Sequence, residues 1–317
     1  MGNIIATGFN AGSVDGEFES LEADLRRLAD IGVDTVELGL TTLDLVAGGR
    51  IIEERADALV SLTSQFDFRY TVHGLVSSNF MDPVTAEHQL DAAKALVELC
   101  NRIEAGIIVQ HGGCLRAAQI HERAEADLRE RDILNELADF ARPNGVRVAL
   151  ENIFTTEPGQ YRQTPAEIAE TVKAVDHPNL VALIDFSHAY IESTYRGLDF
   201  REQIAAMAPV AGHLHVHDSF GRPIGFYQPY HPQEATALGL GDLHMPLGWG
   251  DIDWEDIFDE LDFLPSTVLM MEIGRRYSRE QSACLAMARA LAGLDDDLTA
   301  EAAEQVTWRR AKPGAIP

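Results

Sequence analysis

Lysine is nearly missing from this sequence. Only Lys94, Lys173 and Lys312 occur, and 51 acidic residues against 25 basic ones give a formal net charge of −26. A surface with that potential repels polyphosphate backbones, which disfavours a nucleic-acid partner. A solvated acidic surface, suited to high salt, accounts for the charge more simply. Cysteine is scarce too: Cys100, Cys114 and Cys284 form no C-x-x-C pair and are odd in number. Reduced thiols in a cytoplasmic protein are expected, not a disulfide framework. No run of eighteen apolar residues occurs, so no membrane span is expected. The opening "MGNIIATGFN" lacks the basic and apolar regions of a secretory signal, and Ala6 stands where a myristoylation motif needs Ser or Thr. The glycines of "GFNAGSVDG" (8–16) do not have the G-x-G-x-x-G spacing of a dinucleotide fold.

What is present is a regular alternation. Apolar residues make up 46% of the chain, enough for a large core. Short β-branched runs, "NIIATGF" (3–9), "TVELGL" (35–40), "FRYTVHG" (68–74), "GIIVQHG" (106–112), "RVALEN" (147–152), "VALIDF" (181–186), "HLHVHD" (213–218) and "TVLMMEI" (267–273), read as strands. Segments of helical period separate them, such as 18–32 with Leu21, Leu25, Leu28 and Ile31 on one stripe. The segment 164–175 opens with Thr164, Pro165 and Glu167, a capping box with proline in the first turn. A second helix is expected to begin at Asp82 and Pro83 and to run to 106. Eight strands alternating with helices, with no linker, predict an α/β fold, a (β/α)8 TIM barrel over 1–292. Residues 293–317 read as a C-terminal extension, packed on the barrel or partly mobile.

In such a barrel the chemistry sits at the C-terminal ends of the strands. Those ends carry His73, His111, Glu151, Asp185, His215 and Glu272, with His188, His217 and Asp218 just beyond strand ends and Asp242 and His244 in the loop after strand seven. Singly, each is a hydrogen-bonding rim residue. Together they are a set of imidazoles and carboxylates without a lysine or arginine among them. Converging carboxylates cannot all stay ionised without cations. Divalent metal resolves this, and the mixed nitrogen and oxygen donors suit zinc or manganese better than calcium.

The stretches "ALEN" (149–152), "LIDFSHA" (183–189), "HLHVHDSFGRP" (213–223), "DLHMPLGWGDIDW" (242–254) and "LMMEI" (269–273) resemble the metal-ligand set of the xylose isomerase-like TIM barrel superfamily, which includes endonuclease IV-type enzymes and sugar isomerases and epimerases. In the isomerase branch the resemblance implies one metal held by Glu151, Asp185, His215 and Glu272, with Glu151 and Glu272 moving the proton. In the endonuclease branch it implies three: the first on His73, His111 and Glu151, the second on Glu151, Asp185, His215 and Glu272, the third on His188, Asp242 and His244. All nine positions are filled. The main expectation is therefore a multinuclear hydrolase of a small, non-DNA phosphoester. The alternative is a sugar or sugar-phosphate isomerase or epimerase with one metal, and a non-catalytic binding protein ranks third. His217, Arg222, Tyr227 and Trp249 are candidate substrate contacts, Arg275 and Arg276 candidate phosphate contacts, and a homo-oligomer is left open. The resemblance departs at Trp249, which interrupts a "GEG" common in relatives, and at His217, where relatives often carry Asn or Lys.

Overall fold

The computed structural model describes residues 3–224 and 228–294. The eight expected strands form, as β1 Ile4–Gly12, β2 Thr35–Gly39, β3 Arg69–His73, β4 Ile107–His111, β5 Arg147–Glu151, β6 Leu180–Asp185, β7 Ala211–Val216 and β8 Thr267–Met271. They pair in parallel in chain order, and β8 closes on β1. The fold is a TIM barrel.

Alternation along each strand builds two cores. Ala6, Ile107, Val109, Ala149, Val181, Leu183, Val268 and Met270 pack together inside the barrel. Their neighbours, among them Ile108, Val148, Leu150, Ile184 and Leu269, turn outward into a larger core shared with the helices. The stripe on α1 (Phe18–Asp30) supplies Leu21, Leu25 and Leu28 to that outer core, all essentially buried. The barrel wall is tight at Gly8, where a Cβ would lie 1.9 Å from the Thr35 carbonyl oxygen.

The helices are α2 Glu53–Thr63, α3 Ala86–Arg102, α4 Arg123–Ala141, α5 Pro165–Val175, α6 Phe186–Arg196, α7 Phe200–Met207, α8 Pro232–Leu238, α9 Trp254–Glu260 and α10 Gln281–Ala292. Helix α5 has the expected capping box: Thr164 accepts from the Glu167 N–H at 3.3 Å, and Glu167 accepts from the Thr164 N–H at 2.9 Å. Helix α3 starts later than expected. Asp82 caps a preceding turn, accepting the Val84 N–H at 3.1 Å, and the helix begins after Thr85. The loop expected after strand seven contains α8. Of the expected extension, 295–317 lies outside the described residues. Among the described residues no helix is long and apolar enough to cross a membrane.

Candidate active site

The alternation that builds the inner core also builds the site. One step of two residues beyond Val109, Ala149, Leu183 and Met270 lie His111, Glu151, Asp185 and Glu272, and β7 places His213, His215 and His217 at the same spacing. Register then sets neighbours: His111 pairs with Glu151 across β4 and β5, and Asp185 with His215 across β6 and β7. Asp185 is also the residue before α6 and caps that helix, accepting the His188 backbone N–H at 2.7 Å.

The nine expected ligands come together. His73 Nε2 and His111 Nε2 lie 3.7 and 3.3 Å from Glu151 Oε2, with rings at 83°. His215 Nδ1 stands 3.6 Å from Glu151 Oε1 and 3.6 Å from Glu272 Oε2. Asp242 Oδ2 lies 3.4 Å from His188 Nε2 and 2.8 Å from His244 Nε2. His244 is held at φ +46°, a left-handed conformation uncommon for a side chain of its size, by a Gly274 N–H donated to its carbonyl at 2.9 Å and by its Nδ1 at 2.7 Å from the Glu272 carbonyl. Asp218 anchors this loop, accepting from the Gly248 N–H at 2.7 Å while its backbone bridges Met245.

The electrostatics follow from burial and crowding. Burial alone would lower His73, but Glu151, Glu37 and Glu272 lift it to about 9. His244 rises against its burial to about 10 beside Asp242, and His188 and His215 rise well above the ordinary imidazole value for the same reason. His111 goes down because burial wins there. Burial opposes charge on Glu151 and Asp242 as well, yet the surrounding imidazoles hold both well below the usual carboxylate range. The carboxylates thus borrow positive charge from histidines, with no lysine or arginine in the cluster.

Buried atoms without hydrogen-bond partners gather here: Glu151 Oε2, His215 Nδ1, His217 Nδ1 and Asp242 Oδ1. The nitrogens of His73, His111 and His215 lie 3.3 to 3.7 Å from the oxygens of Glu151, and donors of this chemistry at this spacing fit a divalent cation. Donors about 2.0–2.1 Å from a tetrahedral zinc lie roughly 3.3 Å from one another.

Two residues absent from the expected set lie beneath it. Glu37 on β2 and His213 on β7 are fully buried. Glu37 Oε2 accepts from His213 Nε2 at 2.8 Å and from the Thr71 hydroxyl at 3.0 Å, while Oε1 faces His215 Nε2 at 3.0 Å. The signal was a lone acidic residue in the apolar run "TVELG" and a third histidine in phase on β7.

The expected substrate contacts fare unevenly. His217 is wholly buried, with Nε2 3.1 Å from Asp185 Oδ2. Arg222 donates to the Leu238 carbonyl at 3.0 Å and lies over Phe220, bracing its own loop. Trp249 is 42% exposed and packs edge-on against Tyr277. Tyr227 lies outside the described residues. Arg275 donates to Asp24 at 2.8 Å, and Arg276 to the Leu243 carbonyl at 3.2 Å. A cleft of about 290 Å³ opens above the cluster, lined by Asn10, Ser13, His73, His244, Glu272 and Arg275.

The sequence profile described as xylose isomerase-like TIM barrel matches residues 25–297. The chain belongs to this family. Compared by sequence with curated proteins, it matches none. Among solved structures, this xylose isomerase-like barrel is similar to a D-tagatose 3-epimerase-like protein at 17% identity, covering 95% of this chain and 100% of that one with a TM-score of 0.68. A D-psicose 3-epimerase with D-tagatose from Clostridium cellulolyticum H10 is 16% identical over 91% of this chain and 99% of its own, with a TM-score of 0.65. The IOLI protein with a bound zinc atom is 21% identical over 91% and 98% of the two chains, again with a TM-score of 0.65.

Proposed function

We propose that this protein is a divalent-metal-dependent sugar isomerase or epimerase in which Glu151 and Glu272 move the proton. One observation carries the reading. His215 Nδ1, buried and without a hydrogen-bond partner, stands 3.6 Å from a carboxylate oxygen of each glutamate. With Asp185 on the adjacent strand, these residues would hold the cation, zinc and manganese being the best matches to the donors. When bound, a divalent cation there supplies a Lewis acid for the carbonyl and hydroxyl oxygens of a sugar. The epimerases among the structurally similar proteins support a sugar as the substrate class.

The proton work falls to the chain. In epimerisation one glutamate takes the proton from the carbon beside the carbonyl, and the C–H electron pair becomes the double bond of an enediolate. The other glutamate, carrying a proton, delivers it to the opposite face. Both then regain their starting states by exchange with water. Isomerisation uses the same pair to move the proton between adjacent carbons. Glu151 is 1% exposed, whereas Glu272 lines the cleft and is better placed for that exchange. Asn152 steadies Asp185 by accepting its N–H at 3.0 Å and donating to its carbonyl at 3.0 Å.

A second reading, a multinuclear phosphoester hydrolase, is favoured by the convergence of His73 and His111 on Oε2 of Glu151. The two separate in one experiment. Protein loaded with manganese or zinc is incubated with ketohexoses in D2O, and in parallel with p-nitrophenyl phosphate. Metal-dependent deuterium incorporation beside the carbonyl is expected, falling by ~10²–10⁴-fold in Glu272→Gln. Phosphoester turnover without any exchange on the sugars would replace this reading by the second.

A further inference from the structure

Glu37 is a carboxylate with no exposed surface, set inside the barrel beneath the site, where no substrate reaches it. We propose that Glu37 is a positioning residue: it keeps the proton of His215 on Nε2, so that Nδ1 is the atom offered to the cation. The inference rests on the metal centre proposed above and adds to it a residue outside the ligand set.

Strand geometry places Glu37 there. Val36 and Leu38 turn outward into the core shared with the helices, so Glu37 between them turns inward. Register sets Thr71 of β3 directly opposite, and its hydroxyl donates to Oε2 at 3.0 Å. His213 Nε2 reaches the same oxygen from β7 at 2.8 Å. A carboxylate oxygen only accepts, so His213 carries its proton on Nε2. The carboxylate is thus anchored from two strands through Oε2, and Oε1 is left over.

Oε1 faces His215. It lies 3.0 Å from Nε2, and both atoms are buried without a hydrogen-bond partner. They are within reach of one another but out of line, and a turn of the ring toward Glu37 closes the bond. On the other side of the same ring, Nδ1 stands 3.6 Å from an oxygen of Glu151 and 3.6 Å from one of Glu272. One nitrogen therefore looks to the two glutamates of the site, the other to Glu37.

The chemistry of imidazole connects the two sides. A neutral ring has one protonated nitrogen and one bare one, and only the bare one can bind a metal. A cation on Nδ1 therefore requires the proton on Nε2. Buried as His215 is, that N–H needs an acceptor within the protein, because an unmet buried donor is costly. Glu37 Oε1 supplies it. Ligating histidines characteristically donate their second N–H in this way, which fixes the tautomer and makes the ring a better donor to the metal. The competing role is direct ligation, since a Glu37 oxygen also lies within ligand spacing of His73 and Glu272. The close approach of Oε1 to the nitrogen that faces away from the glutamates favours positioning.

The test joins calorimetric zinc titration of chelator-stripped full-length protein to long-range proton–nitrogen NMR of its histidine rings. Wild type and Glu37→Gln are compared, with His215→Asn used to assign the His215 signals. Glutamine keeps the size of the side chain but turns an N–H2 donor toward one of the three groups that Glu37 accepts from. In zinc-loaded wild type His215 is expected to show a protonated Nε2 and a metal-bound Nδ1. Glu37→Gln should bind the same number of zinc ions ~10–100-fold more weakly, with the His215 Nε2–H resonance moved upfield. Zinc on Nε2 in wild type would overturn the proposal whether or not the variant folds. An unchanged affinity in Glu37→Gln would also overturn it and leave the metal centre standing. Weaker binding with the Nε2–H resonance unmoved would mark a merely structural role. Loss of a whole equivalent would make Glu37 a ligand instead. No zinc bound by wild type would remove the metal centre, and this role with it.

Discussion

Glu130 sits in the middle of α4, fully buried, with Oε1 accepting the Gly113 N–H at 2.6 Å just beyond β4. Burial lifts its carboxyl from 4.5 to about 7. The folded form is therefore the weaker acid, and the unfolded chain releases its proton first as pH rises. The stability from this group is complete below about pH 4.5 and is lost on the way to pH 7. Glu130→Gln keeps the acceptor and abolishes the titration. Its stability relative to wild type should grow by up to about 3 kcal/mol between pH 4.5 and 7.5, measured by urea unfolding. A difference independent of pH would mean that Glu130 is ionised when folded. Residue by residue, the sequence told most about strand ends, because His, Asp and Glu repeated there. Glu37 and His213 escaped because a single polar residue inside an apolar strand looks like ordinary alternation until the barrel closes and turns it inward. The stack of His217 on His244 depends on how the loop folds back over β7, which no spacing in the sequence encodes.

At the level of elements, local chemistry was readable where it was self-contained. The capping box of α5 needs only Thr164 and Glu167, four positions of chain, and it formed. Thr164→Ala should cost about 1 kcal/mol in urea unfolding with the metal content unchanged. An unchanged midpoint would show that Arg123, which binds Glu167 at 2.6 Å, holds the helix start alone. The beginning of α3 was misjudged because Asp82 serves equally well as a turn cap. Helix α8 was missed because it is only seven residues long, from Pro232 to the residue before Gly239, which stops it.

At the level of the molecule, a charge of −26 concentrates some of its cost in one place. Glu37, Glu151, Asp185, Asp242 and Glu272 crowd one end of the barrel, balanced only by histidines. Bound cations would relieve that repulsion in the folded state only. Stripping metal with EDTA should lower the thermal midpoint, by roughly 5–10 °C if the ion had been present at about 100 times its Kd. Identical midpoints with and without chelator would contradict a metal centre in the native protein.

The seam between β8 and β1 has a bearing on how such a centre is filled. It joins Thr267–Met271 to Ile4–Phe9, so the barrel closes through residues more than 250 positions apart in the chain. Contacts of that separation form late. A chain emerging from the ribosome has His73, His111 and Glu151 long before Asp242, His244 and Glu272 exist. Until the seam closes, the early histidines lack the remaining proposed ligands. A complete ligand set for the proposed cation would therefore exist only in the finished barrel.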